Sequence, residues 1–133
     1  MKSSTIAQEK FKSTFSELIE SMPLKNITVT MLVKESGLSR GSFYKYYDDI
    51  PSLIDVILKE QIEEIIKKFK TNSSFDAAMS ELFTFAIERK QMLYNICNSS
   101  NRVLFEHFLW RFLYQLHFCI HITLDQYRNE RDH

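Results

Sequence analysis

The sequence predicts an all-α protein. Only two glycines and two prolines occur in 133 residues, which leaves long stretches with nothing to break a helix. Apolar residues recur at spacings of three and four along most of the chain, the period of a helix with one buried face. Between Thr28 and Tyr47 that period stops at a single glycine and starts again, the pattern of two short helices joined by a tight turn. Hydrophobic residues make up 44% of the chain, ample for a core. The expected architecture is an N-terminal three-helix lobe, a long connecting helix and a short C-terminal helical lobe, with divisions at residues 1–70 and 75–133.

The first helix opens at Thr5, which has capping-box spacing to Gln8. Phe11, Phe15, Leu18, Ile19 and Met22 make its apolar stripe, and Pro23 ends it. Lys2, Lys10 and Lys12, near its start, read as solvated lysines rather than phosphate contacts. Thr28 is placed to cap a second helix, with Val29, Leu32 and Val33 on one face. Gly37 can take the positive φ that ends a helix. Ser39 caps the third, and Leu38 and Phe43 are spaced as a hydrophobic staple around it. Phe43 and Tyr47 face the core. Gly41, Ser42 and Lys45 face outward, Tyr44 and Tyr46 flank the two faces, and no acid lies between Arg40 and Tyr47. A small, hydroxylated, basic helix face suits a DNA major groove, where backbone must approach closely and Arg or Lys meets guanine edges and phosphates.

Asp49 caps the next helix, with Pro51 in its first turn, where the missing N–H costs nothing. Ile50, Leu53, Ile54, Ile57, Leu58, Ile62, Ile65, Ile66 and Phe69 form one stripe along it. Glu63/Lys67 and Glu64/Lys68 are i,i+4 pairs on its wet face. Thr71-Asn72-Ser73-Ser74 reads as the linker between lobes. Beyond it, Phe75, Ala78, Met79, Leu82, Phe83 and Ala86 make a stripe, and Met92, Leu93, Ile96 and Cys97 a shorter one. Asn98-Ser99-Ser100-Asn101 breaks the chain again. The last helix, about Arg102 to Arg128, is apolar on two faces. Phe105, Phe108, Leu109, Phe112, Leu113, Leu116 and Ile120 form the first. Trp110, Tyr114, Phe118 and Ile122 form the second, with His107, His117 and His121 on it. One face serves the core; the second needs a partner.

The run Thr28-Val29, Leu32, Gly37-Leu38-Ser39-Arg40-Gly41-Ser42-Phe43-Tyr44, Tyr46-Tyr47 and Leu53 resembles the TetR (tetracycline-repressor-like) bacterial transcriptional regulators. Tyr46 and Tyr47 stand where that family usually has His and Phe. Ile50 stands where it typically has a lysine near the backbone phosphates, a departure that removes that contact. The resemblance covers about the first half of the chain. It implies a ligand-responsive regulator, most often a repressor, that binds double-stranded palindromic operator DNA as a homodimer, with the connecting helix swinging the reading heads. On this reading Arg40, Gly41, Ser42 and Lys45 face base edges, while Thr28, Thr30, Ser39, Tyr44 and Tyr46 hold phosphates. Chains of that family usually continue with two further helices, so the C-terminal lobe is expected to be incomplete beside theirs. The competing expectation is a helical protein–protein interaction module, or a shortened partner of a full-length regulator, that does not itself bind DNA.

Lys+Arg 17 against Asp+Glu 17 gives a net charge of zero, which disfavours indiscriminate coating of nucleic acid and confines any basic surface to a local patch. No apolar leader opens the chain, and Phe112 to Leu124 is too short and polar to span a bilayer, so no membrane partner and a cytoplasmic location are expected. Cys97 and Cys119 read as buried free thiols. His117 and His121 have the i,i+4 spacing of two imidazoles on one metal, but two ligands do not make a site, and core or interface histidines are expected. Glu81 and Glu88, or Asp48 and Asp49, are helix-surface and cap residues. With no phosphate loop and no nucleophile–base pattern, neither an enzyme nor a cofactor is expected. The aromatic second half suits a small apolar effector or a dimer face, with Trp110, Tyr114, His117, Phe118 and His121 as its residues.

Overall fold

A computed structural model describes residues 5–72 and 75–132, with the side chains of Asn72 and Thr123 left aside. Among the described residues there are seven α-helices and no strand, the all-α class expected. The helices are α1 (Ile6–Ser21), α2 (Val29–Ser36), α3 (Arg40–Tyr46), α4 (Ile50–Asn72), α5 (Phe75–Glu88), α6 (Lys90–Cys97) and α7 (Arg102–Arg131), with a single 3₁₀ turn, Leu24–Asn26, between α1 and α2.

The caps of the first half form where the sequence places them. The Thr5 hydroxyl accepts from the Gln8 backbone N–H, and the Gln8 side chain returns the bond to the Thr5 N–H. Thr28 accepts from the Met31 N–H and Ser39 from the Ser42 N–H. Asp49 Oδ1 accepts from the Ser52 N–H at 2.8 Å. Gly37 closes α2 at φ 73°, a left-handed conformation that a Cβ would strain.

Phe11, Phe15 and Ile19 of α1, Leu32 of α2, Phe43 of α3 and Tyr47 after it are buried together. The Phe11 ring meets Phe43 edge-on at 5.3 Å, a favoured aromatic geometry. α4 carries the core outward: Leu53, Ile54, Leu58, Ile62, Ile65, Ile66 and Phe69 are buried along it, against α5 and α7. α6 bridges back to α1. Asn95 donates to the Ile19 carbonyl at 2.7 Å, and Arg89 reaches Glu20 at 3.4 Å and the Ser16 carbonyl. Among the described residues, no helix is long and apolar enough to cross a membrane.

Several details depart from the sequence reading. Thr71 and Asn72 complete α4 instead of opening a linker, the Thr71 hydroxyl donating to the Lys67 carbonyl. Ser73 and Ser74 lie outside the described residues, as does Lys2. Lys12 is not solvated: its side chain is 10% exposed and lies 2.7 Å from both Glu9 and Glu60, tying α1 to α4. Lys68 meets Glu81 of α5 at 2.9 Å rather than Glu64 one turn back. In α5 the buried aromatic is Phe85, and Phe83 is exposed. Phe85 lies seven residues, two turns, beyond Ala78 and shares its inward face; Phe83, five beyond, does not. In α7 the buried ridge is Phe108, Phe112, Leu116 and Cys119, and Leu109 and Leu113 turn outward. Cys119 is buried as expected, whereas Cys97 is only partly so.

Candidate nucleic-acid interface

α2, the Gly37 turn and α3 place the sequence-predicted residues on one side of the N-terminal lobe. Thr28, Thr30, Ser39, Arg40, Gly41, Tyr44 and Lys45 are exposed; Ser42 and Tyr46 are half-buried. What fixes α3 is its inner side. Phe43 is fully buried and touches Phe11, Tyr44 and Tyr47, so the helix cannot rotate without losing that packing. The outer side is therefore held with Gly41 and Lys45 facing away from the protein.

Most of the assigned hydroxyls are already in use within the fold. Thr28 and Ser39 are acceptors in their caps, and Ser39 also donates to the Ser42 hydroxyl at 3.1 Å. Thr30 accepts from the Arg40 guanidinium across the turn. Arg40 thus lies back along α2, and it must exchange Thr30 for a base edge to take the role expected of it. Lys45 stands over the Tyr46 ring at 5.3 Å from its centroid, a cation–π contact.

Gly41 is informative for what does not surround it. A Cβ built there would meet only the Ser39 hydroxyl, at 3.9 Å, an ordinary contact. Among the described residues nothing requires glycine at this position, and its backbone lies in the helical range of α3.

The start of α1 also belongs to this surface. A hydrogen bond with the Thr5 side chain holds the Tyr46 phenol below the usual tyrosine range, with the Lys45 ammonium acting in the same direction and burial against it. The Tyr47 hydroxyl reaches the Gln8 carbonyl at 3.5 Å. The first turn of α1 thereby stands beside the last turn of α3. No local spacing links Thr5 to Tyr46, so only the packing of α1 on α3 reveals the pair.

Ile50, where a lysine was noted as missing, is half-buried against the core. In the C-terminal half, Trp110, Tyr114, His117, Phe118 and His121 lie together on the outer side of α7 and are all exposed. The His117 and His121 rings are 6.3 Å apart, and His121 Nδ1 lies 3.1 Å from Asp125. Among the described residues, no three His, Cys, Asp or Glu side chains gather as a metal site.

No family model matches the chain, and no curated protein does. A solved structure described as "Dihydroxyacetone kinase operon activator DhaS" is similar to it, with a TM-score of 0.66 over 86% of this chain and 68% of that one, at 18% identity. At that identity the likeness establishes the arrangement of the helices and nothing finer.

Proposed function

We propose that the protein is a sequence-specific DNA-binding transcriptional regulator of TetR type, acting as a homodimer on a palindromic operator, with α3 as the reading helix. The observation that carries this reading is Gly41. Gly41 is the second residue of α3, where glycine is a weaker helix former than alanine, and nothing among the described residues needs one there. An external surface that must come close to the α3 backbone does need it, and the neighbouring outward groups are Arg40, Ser42 and Lys45. Arg40 and Lys45 would read base edges; Thr28, Tyr44 and Tyr46 would sit on phosphates. The similar structure, whose description names an operon activator, supports a regulatory role. The resemblance to TetR repressors supports binding that blocks a promoter, and the geometry of α3 serves either sign.

The dimer would form through the outer face of α7, where Trp110 is 72% and Tyr114 74% exposed. Large apolar side chains in a continuous exposed strip mark an interaction surface, and two-fold pairing matches the two half-sites of a palindrome.

Selection of binding sequences from random double-stranded DNA tests the reading. An enriched palindrome, bound more weakly as salt rises and lost on Lys45→Ala, is the expected result. Enrichment of no sequence, or equal binding by Lys45→Ala and Arg40→Ala, would overturn it.

A further inference from the structure

We propose that the crevice between the N-terminal lobe and the turn joining α6 to α7 is an effector site for a small polyhydroxylated molecule of monosaccharide size. Its part in regulation rests on the DNA-binding reading above; its existence does not. The crevice has a volume of about 570 Å³. Its apolar side is Leu24, Ile27 and Ile50, from the connector after α1 and the start of α4. Its opposite rim is amide and hydroxyl: Asn95, Asn98, Ser100 and Asn101. Lys25 is the one charged residue on the lining.

Apart from Asn95, the rim's amides and hydroxyl are not occupied with holding the fold together. Ser99 does that, donating to the Ile96 carbonyl at 2.6 Å and accepting from the Asn101 N–H at 3.1 Å. The side chains of Asn98, Ser100 and Asn101 have no hydrogen-bond partner among the described residues. Asn101 is the more telling because it stands at the N-cap of α7, where an asparagine side chain normally accepts from the helix, and it makes no such bond.

A carboxamide offers a donor and an acceptor side by side, which matches the paired hydroxyls of a sugar. The C–H face of a sugar ring matches an aliphatic wall. An apolar effector would leave the amides unpaired, and a cation would meet Lys25 with no carboxylate to balance it. A free sugar and its phosphate ester share this chemistry, and Lys25 separates them.

The site also has a lever. Asn95 lines the crevice while its amide donates to the Ile19 and Met22 carbonyls at the end of α1. An occupant that bridges the Asn98–Asn101 turn and the Leu24–Ile27 connector draws together the two lobes that Asn95 already links. The seat of the reading helix on the C-terminal half then depends on that occupant.

The test is an amide-resolved NMR titration of the full chain, without DNA, using glucose, ribose and glucose 6-phosphate. The expected result is saturable shifts clustered at residues 24–27 and 95–101 with at least one sugar, abolished in the Asn98→Ala/Asn101→Ala variant while the rest of its spectrum stays in place. Tighter binding of glucose 6-phosphate than glucose, lost in Lys25→Gln, would place the phosphate on that ammonium; equal binding supports the free sugar. Absence of saturable shifts with all three, shifts scattered over the surface, or full binding by the double variant would overturn the site. That failure leaves the DNA-binding reading standing, and a protein that binds sugar but selects no DNA leaves the site standing without it.

Discussion

The Arg40 guanidinium donates to the Thr30 hydroxyl, joining the first turn of α3 to the first turn of α2. The contact holds the arginine along the helix pair rather than extended toward solvent. On the proposed function, it gives Arg40 a rest position that operator DNA would replace. Thr30→Val removes the rest partner and keeps the shape: a rise in operator affinity would show that the Arg40 contact competes with DNA, and a fall that the Thr30 hydroxyl serves a phosphate. Arg40→Ala and Lys45→Ala are each expected to lose about 1–3 kcal/mol of specific binding, the range for one good base contact. Fluorescence anisotropy with a labelled operator duplex measures all three.

Gly41→Ala separates stability from function. An alanine in the helix, with only the Ser39 hydroxyl near its Cβ at 3.9 Å, should stabilise the fold by up to about 1 kcal/mol. On the proposed function, the same methyl would stand between the α3 backbone and DNA. Chemical denaturation is expected to show a gain, and operator binding a loss of tenfold or more. A gain in both would mean that nothing approaches α3 at this point.

Charges placed on the outer face of α7 should change assembly and spare the fold. Trp110→Lys and Phe118→Lys alter side chains that are 72% and 58% exposed, so neither disturbs the Phe108, Phe112 and Leu116 ridge beneath. Light scattering across a concentration series is expected to show a dimer for the parent and a monomer for the double variant. A parent that stays monomeric at every concentration would remove α7 as the dimer face.

Alkali should weaken the fold through two neighbouring groups. Burial lowers the Lys12 ammonium, but Glu60 and Glu9 outweigh it and hold the group above its usual 10.5. Burial raises the Tyr47 phenol above its usual 10.0, with Lys12 opposing and Glu60 and Glu9 reinforcing. In both cases the folded chain keeps a proton that the unfolded chain gives up, so stability is complete below pH 10 and falls as pH rises beyond it. Thermal unfolding from neutral to strongly alkaline pH should show that decline, and Lys12→Met should remove the Lys12 part of it while leaving the Tyr47 part.

How much was legible in advance followed the range of the interactions involved. The caps at Thr5, Thr28, Ser39 and Asp49, the Gly37 turn and the buried side of α3 are set by neighbours within one or two turns, and each formed as the spacing required. Contacts that cross between helices were not readable. Lys12 found Glu60, and Lys68 preferred Glu81 to Glu64. The outward residues of α3 were identifiable from their position opposite Phe43, but the Arg40–Thr30 and Thr5–Tyr46 pairs were not. In α7, apolar residues on nearly every side left two candidate inner faces, and the α4 stripe selected the one bearing Phe108, Phe112 and Leu116. Thr71 and Asn72 looked like breakers because polar residues often are, yet a hydroxyl bonded to the preceding turn sits within a helix without ending it.

The grip of Asn95 and Arg89 on the carbonyls of α1 bears on cooperativity. Buried side chains run without interruption from Phe11 to Cys119, and α1 leans on α6 as well as on its own lobe. A chain cut near residue 70 would strip those polar anchors and lay bare Ile62, Ile65, Ile66 and Phe69. The intact protein is therefore expected to melt as one unit, with the fluorescence of Trp110 and the helical circular dichroism falling at the same temperature. The N-terminal lobe would have no melting point of its own, and its persistence in a cell would be decided as much by α6 as by α1, α2 and α3.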